Sequence, residues 1–365
     1  MIITQLKIRN FRNYDSCNIS FIPGINVFIG DNAQGKTNLL EAIYFLSSTR
    51  SFRDVLDKEM IKEEELFSNL EVIMNEEDKT IVISSVIHPT GKSLLLHKQP
   101  VMKASDFIGV LNTVIFSPID LELFHTSPKV RRRFLDLELG KISKSYLFHL
   151  KKYHQLLKER NAYLKQERVD SEYLEVITKQ LIEVQKPLVV ERQEFIHFIN
   201  GKINDFYSTL SESFQKVSLT YQTSSDEMDE QELLKKYQKY IEKDKALGQT
   251  TVGVHRDDIE FFLENRNVIQ YASQGQKRMI VLALKLALSS YIYEKSKRTP
   301  ILLLDDVLSE LDSKRRKNLF KVIPEEIQTF ITTTDLDELE ELKQRKIQLF
   351  QIEQGEVTLY EEVSG

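Results

Sequence analysis

The sequence predicts an α/β fold in which a sheet-based lobe is interrupted by a mostly helical second lobe. Three observations predict it. The segment Gly30-Asp31-Asn32-Ala33-Gln34-Gly35-Lys36-Thr37 fits G-x-x-x-x-G-K-[ST] and follows an apolar stretch, residues 25–29. A second apolar run, residues 301–304, ends in Asp305-Asp306. Between the two, from about Lys141, hydrophobic residues recur at helical spacing.

Near the N-terminus Leu6 and Ile8 alternate with Lys7 and Arg9, as in a half-buried strand. Pro23-Gly24 marks the turn into the strand at 25–29. Beyond the glycine-rich loop, Leu39, Ile43 and Leu46 keep helical spacing, and further strands are expected near 70–74, 80–87, 93–97 and 110–116. In the helical region Tyr146, Leu150, Tyr153, Leu157 and Leu164 form one stripe. Leu174, Ile177, Leu181, Val184 and Leu188 form a second, and Phe195, Phe198, Ile199, Phe206 and Leu210 a third. Pro187 is expected to kink or break the middle of this region. A helix over 143–166 would be roughly 36 Å long at about 1.5 Å per residue, enough for a packed hairpin or small bundle and no long coiled-coil arm. Residues 223–230 read as a polar, acidic loop, and 259–262 with 268–271 as a β-hairpin around Glu264-Asn265. The expected division is 1–118, 119–270 and 271–365, the first and last parts forming one lobe.

Composition bounds the function classes. With 365 residues, 41% of them hydrophobic, the chain can bury a real core. The net charge of −5 carries no global basic signature, so any nucleic-acid contact must come from local patches. The single cysteine, Cys17, excludes an internal disulfide, and the seven histidines make no zinc-ligand spacing with it. The N-terminus lacks the apolar region of a signal peptide, and the most apolar helical stretch, 279–293, is interrupted by Lys285 and too short to span a bilayer. A cytoplasmic protein is expected.

The motifs carry chemistry. In the glycine-rich loop, backbone N–H groups and a helix N-terminus would cradle the phosphates of ATP over Gly30, Asp31, Asn32, Ala33, Gln34, Gly35, Lys36, Thr37 and Asn38. Lys36 would reach the β/γ oxygens, and Thr37 would ligate Mg²⁺. Asp305, at the mouth of a central strand, is the expected metal-holding carboxylate, and Asp306 the group that orients or deprotonates the attacking water. A glutamate would reach further than Asp306, so slow hydrolysis is expected. Ser273-Gln274-Gly275-Gln276 fits a capping box before an apolar helix. A capped helix N-terminus beside a glycine is also a γ-phosphate sensor. Its position between loop and carboxylates suggests engagement of ATP held by a second copy. Three basic groups are candidate DNA contacts: Arg50 with Arg53, Lys129 with Arg131, Arg132 and Arg133, and the run Lys314, Arg315, Arg316, Lys317. Such runs are more often solvated faces. His255-Arg256-Asp257-Asp258 fits a salt-bridged turn about as well as a site.

Taken together, residues 6–14, 30–38, Ser51-Phe52-Arg53 and Phe116-Ser117-Pro118 resemble the RecF family of bacterial recombination mediators. So do Arg132-Arg133-Phe134-Leu135-Asp136, residues 255–258, 273–278 and 304–312. The resemblance runs essentially end to end. It implies an SMC-like head of the ABC ATPase superfamily without the long arm, with weak DNA-stimulated ATP hydrolysis used as a switch. It further implies dimerisation on ATP, binding to gapped DNA at single-strand/duplex junctions, and cooperation with RecO and RecR to load RecA. Recombinational repair, replication restart and the SOS response are the implied processes, in the cytoplasm at the nucleoid. It assigns Lys36 and Thr37 to phosphate and Mg²⁺, Asp305 to the metal, Asp306 to water, Ser273 to the trans contact and Asp312 to the loop linking two sites. Two positions depart from the pattern: Val254 stands where a proline is expected, and Thr332 to Thr334 occupy the place of the switch histidine.

Other classes fit less well. A nucleotide kinase or GTPase leaves residues 273–276 without a role, and no Asn-Lys pair begins a guanine-reading motif. A transporter ATPase lacks a helical insert of this size. An SMC-like head working with a nuclease would call for an arm.

Overall fold

The computed structural model describes residues 1–125, 127–224, 229–342 and 345–363. Its strands and helices, in chain order, begin with β1 (Ile2–Phe11), β2 (Tyr14–Ser20), β3 (Ile25–Ile29), α1 (Lys36–Ser48), β4 (Ser68–Glu76), β5 (Lys79–His88), β6 (Gly91–Leu96), β7 (Gln99–Pro100), α2 (Ala104–Phe107) and β8 (Thr113–Phe116). Next come α3 (Pro128–Ile142), α4 (Lys144–Tyr163), α5 (Ser171–Ser211), β9 (Val217–Gln222), α6 (Glu230–Lys239), α7 (Ile241–Leu247), β10 (Asp258–Leu263), β11 (Arg266–Asn267) and α8 (Val268–Tyr271). The chain finishes with α9 (Gln274–Ser296), β12 (Ile301–Asp305), α10 (Ser313–Val322), β13 (Thr329–Thr333), β14 (Ile347–Glu353) and β15 (Glu356–Val363). Contacts divide it into two compact units, the first comprising 1–121, 203–214 and 274–365, the second 122–202 and 215–273. Residues 203–214, expected in the helical lobe, therefore pack with the first unit: buried Ile203, Tyr207 and Leu210 continue the apolar stripe of α5 into it.

The first unit holds two six-stranded sheets. One runs β15-β14-β3-β13-β12-β8, with β14, β3, β13, β12 and β8 mutually parallel and β15 antiparallel at the edge. Every residue of β3, β12 and β13 is buried, as a parallel sheet covered on both faces requires. That explains the apolar run 301–304 of β12, whereas β13 buries threonines beside Phe330 and Ile331. The other sheet, β2-β1-β4-β5-β6-β7, is antiparallel and alternates, with β4 burying Leu70, Val72 and Met74. Phe21, Phe28, Phe330 and Phe350 form an aromatic knot in the core, the Phe21 and Phe330 rings meeting edge-on at 4.8 Å. Gln328, 2% exposed, exchanges hydrogen bonds with the Ile3 backbone at 2.7 and 2.8 Å and donates to Ile22 O.

The second unit packs α3, α4 and most of α5 with a small antiparallel sheet, β11-β10-β9. Two expectations are corrected here. Of the kink or break expected at Pro187, the break does not occur: the helix is continuous over 41 residues. Burial of Leu181 and Val184 before the proline and Leu188 after it outweighs the hydrogen bond that proline cannot donate. Residues 268–271 form one helical turn, α8, instead of a strand. Glu264 and Asn265 do turn the chain, with φ of 49° and 63°, but Asn267 then accepts from Ile269 N at 2.9 Å and caps a helix. Of the loop read over 223–230, residues 225–228 lie outside the described residues. Among the described residues no helix is long and apolar enough to cross a membrane.

Candidate functional site

The site grows from the parallel sheet. Strand β3 delivers the glycine-rich loop at its C-terminal end, and α1 starts at Lys36. Gly30 leaves the strand against β14, where a Cβ would lie 2.3 Å from Ile352 O. Gly35 has φ 117°, and a Cβ there would meet Asn13 Nδ2 at 2.6 Å and the Tyr14 hydroxyl at 2.8 Å. The tip, Asp31, Asn32 and Ala33, is exposed, whereas Lys36 is 8% exposed. The ammonium of Lys36 donates to Gly30 O at 2.6 Å and Asp31 O at 2.8 Å, folded back into the hollow of the loop. Burial holds its pKa below the ordinary lysine value, opposed by the charges of Asp306, Asp31 and Asp305.

Strand β13 lies between β3 and β12, and its register sets Thr332 level with Phe28 on one side and Asp305 on the other. Asp305 Oδ1 accepts from Thr37 Oγ1 at 2.7 Å and from Thr332 Oγ1 at 3.0 Å. The Thr332 hydroxyl also accepts from Asp306 N at 2.9 Å, bracing both aspartates. Asp306 itself is exposed, with φ 53°, and takes a hydrogen bond from Ser309 Oγ at 3.0 Å. Burial pushes the Asp305 carboxyl up, against the pull of Thr37, Thr332 and Arg53. Relative to the unfolded chain, the fold thus disfavours the charged form of Asp305. The contribution of the neutral form to stability is complete below the ordinary aspartate value of about 3.9 and is lost as pH rises through the raised folded value. Asp305→Asn should therefore raise the melting temperature of the nucleotide-free protein at pH 7 and leave it unchanged near pH 3. Thermal scans at both pH values check this, and equal melting at pH 7 would contradict it.

Asn13, Tyr14, Gln354 and Gly355, given no site role from sequence alone, support the loop. Asn13 Nδ2 donates to Gln34 O at 2.9 Å, Asn38 Nδ2 to Asn13 Oδ1 at 2.8 Å, and the Tyr14 hydroxyl to Gly35 O at 3.1 Å. From the other side Gly355 N reaches Gln34 O at 3.2 Å, and Gln354 N reaches Gln34 Oε1 at 2.6 Å. Behind α1, fully buried Glu41 takes a bidentate contact from Arg12 at 2.6 and 2.9 Å and a hydrogen bond from Ser51. The usable signal was spacing: a buried acid inside an apolar helix needs a cation.

Elsewhere α9 begins at Gln274, leaving Ser273 exposed just before its first turn. Gly275 faces open space where a Cβ would stand, so nothing in this chain demands glycine there. Gln276 is half-buried. Arg278 pairs with Glu310 at 2.9 Å beside a pocket lined by Ser117, Pro118, Asp305 and Val307. Asp312 caps α10, accepting from Arg315 N at 2.8 Å.

The candidate DNA contacts divide. Arg131, 4% exposed, grips Asp258 with two bonds of 2.7 and 2.8 Å and is no phosphate contact, because its charge is already spent inside the second unit. Arg132 donates to Asp257 O at 2.6 Å and Arg133 is half-buried, so these arginines are not a solvated face, while Lys129 is exposed. Arg53 sits 3.7 Å from Glu41 and acts on Asp305, which ties it to the loop region. Arg50 is exposed. Lys314 and Arg315 stay on the surface, with side chains 72% and 43% exposed, although Glu212 pairs with the former and Asp312 with the latter.

A glycine-rich loop entering a helix from a central parallel strand, with a braced carboxylate two strands away, defines a P-loop head. The family described as the RecF/RecN/SMC N-terminal domain matches residues 2–358. The DNA replication and repair protein RecF of Bacillus cytotoxicus is 38% identical, over 98% of each chain. That of Halalkalibacterium halodurans is 39% identical, over 97% of this chain and 98% of its own. A solved structure of the recombination mediator protein RecF-ATP in the RecFOR pathway matches with a TM-score of 0.90 at 30% identity, over 99% of this chain and 98% of that one. An Smc head bound to the C-winged helix domain of ScpA, 17% identical with a TM-score of 0.58, shares the fold. The chain belongs to the RecF family.

Proposed function

We propose that this chain is an ATP-dependent DNA-binding protein that dimerises on ATP and, with RecO and RecR, promotes RecA loading at gapped DNA. The observation that carries the nucleotide half of this reading is the bond between Thr37 and Asp305, 2.7 Å long and 268 residues apart in sequence. It brings a hydroxyl and a carboxylate, both hard oxygen donors, to the rim of the phosphate loop, a donor pair suited to Mg²⁺. When bound there with ATP, Mg²⁺ supplies neutralisation of charge on the β and γ oxygens. The chain's own residues do the rest. The loop from Gly30 to Asn38 offers N–H groups, Lys36 its ammonium, and Asp306 a carboxylate to orient or accept a proton from water. Hydrolysis is slow and serves as a switch.

The exposed Ser273, with open space at Gly275, supports contact with ATP held by a second copy. The relatives' names and the RecFOR setting of the solved RecF structure support the repair role, the DNA substrate and the partners. The protein acts in the cytoplasm, at the nucleoid. Asp306→Ala and Ser273→Ala should move the dimer in opposite directions. The first retains ATP and accumulates the closed dimer; the second leaves monomers that still bind ATP. Sedimentation with ATP–Mg²⁺, ADP and no nucleotide tests this, and a Ser273→Ala protein that dimerises like wild type leaves Ser273 as a helix cap only.

A further inference from the structure

Lysine returns at every seventh position along α4 and just past its end: Lys144, Lys151, Lys158 and Lys165. Seven residues are about two helical turns, so these side chains share one face at intervals of about 10.5 Å. The turn carries on to the last of them, with Lys165 N bonded to Ala162 O and Gln166 N to Tyr163 O. All four lysines and His154 are exposed. Among the described residues Lys151, Lys158 and Lys165 have no ion-pair partner. A groove lined by His154, Leu157, Lys158, Asn161, Ala162 and Lys165 runs along the same face. Glu159, about 100° further round the helix than Lys158, is occupied by the Tyr173 hydroxyl at 2.9 Å.

The turn 255–258 adds to this face. Asn161 Oδ1 accepts from Thr250 N at 2.7 Å, and Thr250 O accepts from Arg256 Nη2 at 3.1 Å, so exposed Arg256 stands beside α4. His255 is held between the Tyr153 hydroxyl at 2.7 Å and Thr250 O at 2.9 Å. Burial first, and then the charges of Arg256, Arg132 and His154, push its pKa down to about 4 against the Thr250 carbonyl. The imidazole stays neutral at pH 7 chiefly because it is buried, and the neighbouring cations add to that.

Solvated helix faces usually mix signs at i, i+4 spacing. An unmixed row on a chain of net charge −5 instead complements a polyanion. We infer that this face of α4, with Arg256, is a track for the phosphate backbone of duplex DNA. A duplex carries a charge about every 1.7 Å of axis, so a straight row of lysines finds phosphates in any register. An acidic protein surface would have to match the row's spacing by coincidence. The contact positions DNA without reading sequence.

The inference rests on the DNA-binding reading above, and the experiment separates the two. Binding of wild type and of Lys151→Gln/Lys158→Gln/Lys165→Gln to gapped duplex is titrated against salt with ATP present. The Lys79→Gln/Lys98→Gln/Lys103→Gln protein, changed at exposed positions in the first unit, has the same net charge as the test variant. The test variant should lose about 0.9 per lysine from the log–log salt slope, about 2.7 in all. Its ATP-dependent sedimentation should not change, and Lys151→Arg/Lys158→Arg/Lys165→Arg, which keeps the three charges, should keep the wild-type slope. An unchanged slope, an equal loss in the control protein, or loss of an acidic protein partner with DNA binding intact would overturn the inference. Wild type that fails to bind gapped duplex would overturn the DNA-binding reading itself.

Discussion

Lys36→Ala should abolish ATP-dependent behaviour, lowering turnover by about 10²–10³-fold, the usual loss when one preorganised charge is removed from a transition state. The side chain is nearly buried, its nitrogen faces two loop carbonyls at 2.6 and 2.8 Å, and three carboxylates surround it. No other cation donates into the loop among the described residues, so the charge that would balance the β and γ phosphates disappears. Lys36→Arg should fail in turnover too, because a planar fork cannot fill the space of a compact ammonium. Thermal stabilisation by ATP gives an independent readout. At a ligand concentration of 100 Kd a binder gains about 2.7 kcal/mol, and Lys36→Ala should show almost none. Wild-type turnover or stabilisation in Lys36→Ala would remove the loop from the site.

Much of this was legible because the informative signals are local. A glycine-rich loop between an apolar run and a helical stripe needs no tertiary context, and neither does an apolar run ending in aspartates. Their meeting was expected from motif order, and the register of β13 supplies the mechanism by setting Thr332 opposite Asp305. That role could not be read from the sequence, since a threonine in an apolar strand looks like any β-branched residue. Charge was the least legible feature. Arg131 reads as part of a basic knot until its partner, 127 residues away, is known. Arg53 likewise reads as a DNA contact or a solvated residue until buried Glu41 is known to lie 3.7 Å from it. Spacing was a better guide than density. The dense group 131–133 turned inward, whereas lysines spread at sevens along α4 stayed exposed.

The same inward turn makes the second unit sensitive to one residue. Arg192, 1% exposed, donates to the Tyr146 hydroxyl at 2.8 Å, Val254 O at 3.0 Å and Asp136 Oδ1 at 2.8 Å. It also lies 3.5 Å from Asp257, which takes the Tyr221 hydroxyl as well. These partners come from α3, α4, β9 and the turn ahead of β10, so one guanidinium ties four segments together. Burial pushes the Asp257 carboxyl up, opposed by Tyr221 and Arg192, and Asp257 is 2% exposed. Arg192→Ala would leave that carboxylate and a buried carbonyl without their cation. Breaking a buried pair by removing one partner costs about 3–5 kcal/mol. At about 2–4 °C per kcal/mol for a unit near this size, melting of the second unit should fall by roughly 10 °C. Asp257→Asn in the same chain should recover part of the loss, because the stranded group is then neutral. Asp257→Asn alone should cost less than Arg192→Ala, since Asp136 still balances the arginine. Calorimetry of the three variants checks the ordering. Nucleotide binding measured in parallel tells a local lesion from global unfolding, because the phosphate loop belongs to the other unit. Equal melting of Arg192→Ala and wild type would mean that packing, with no help from this network, holds the second unit together.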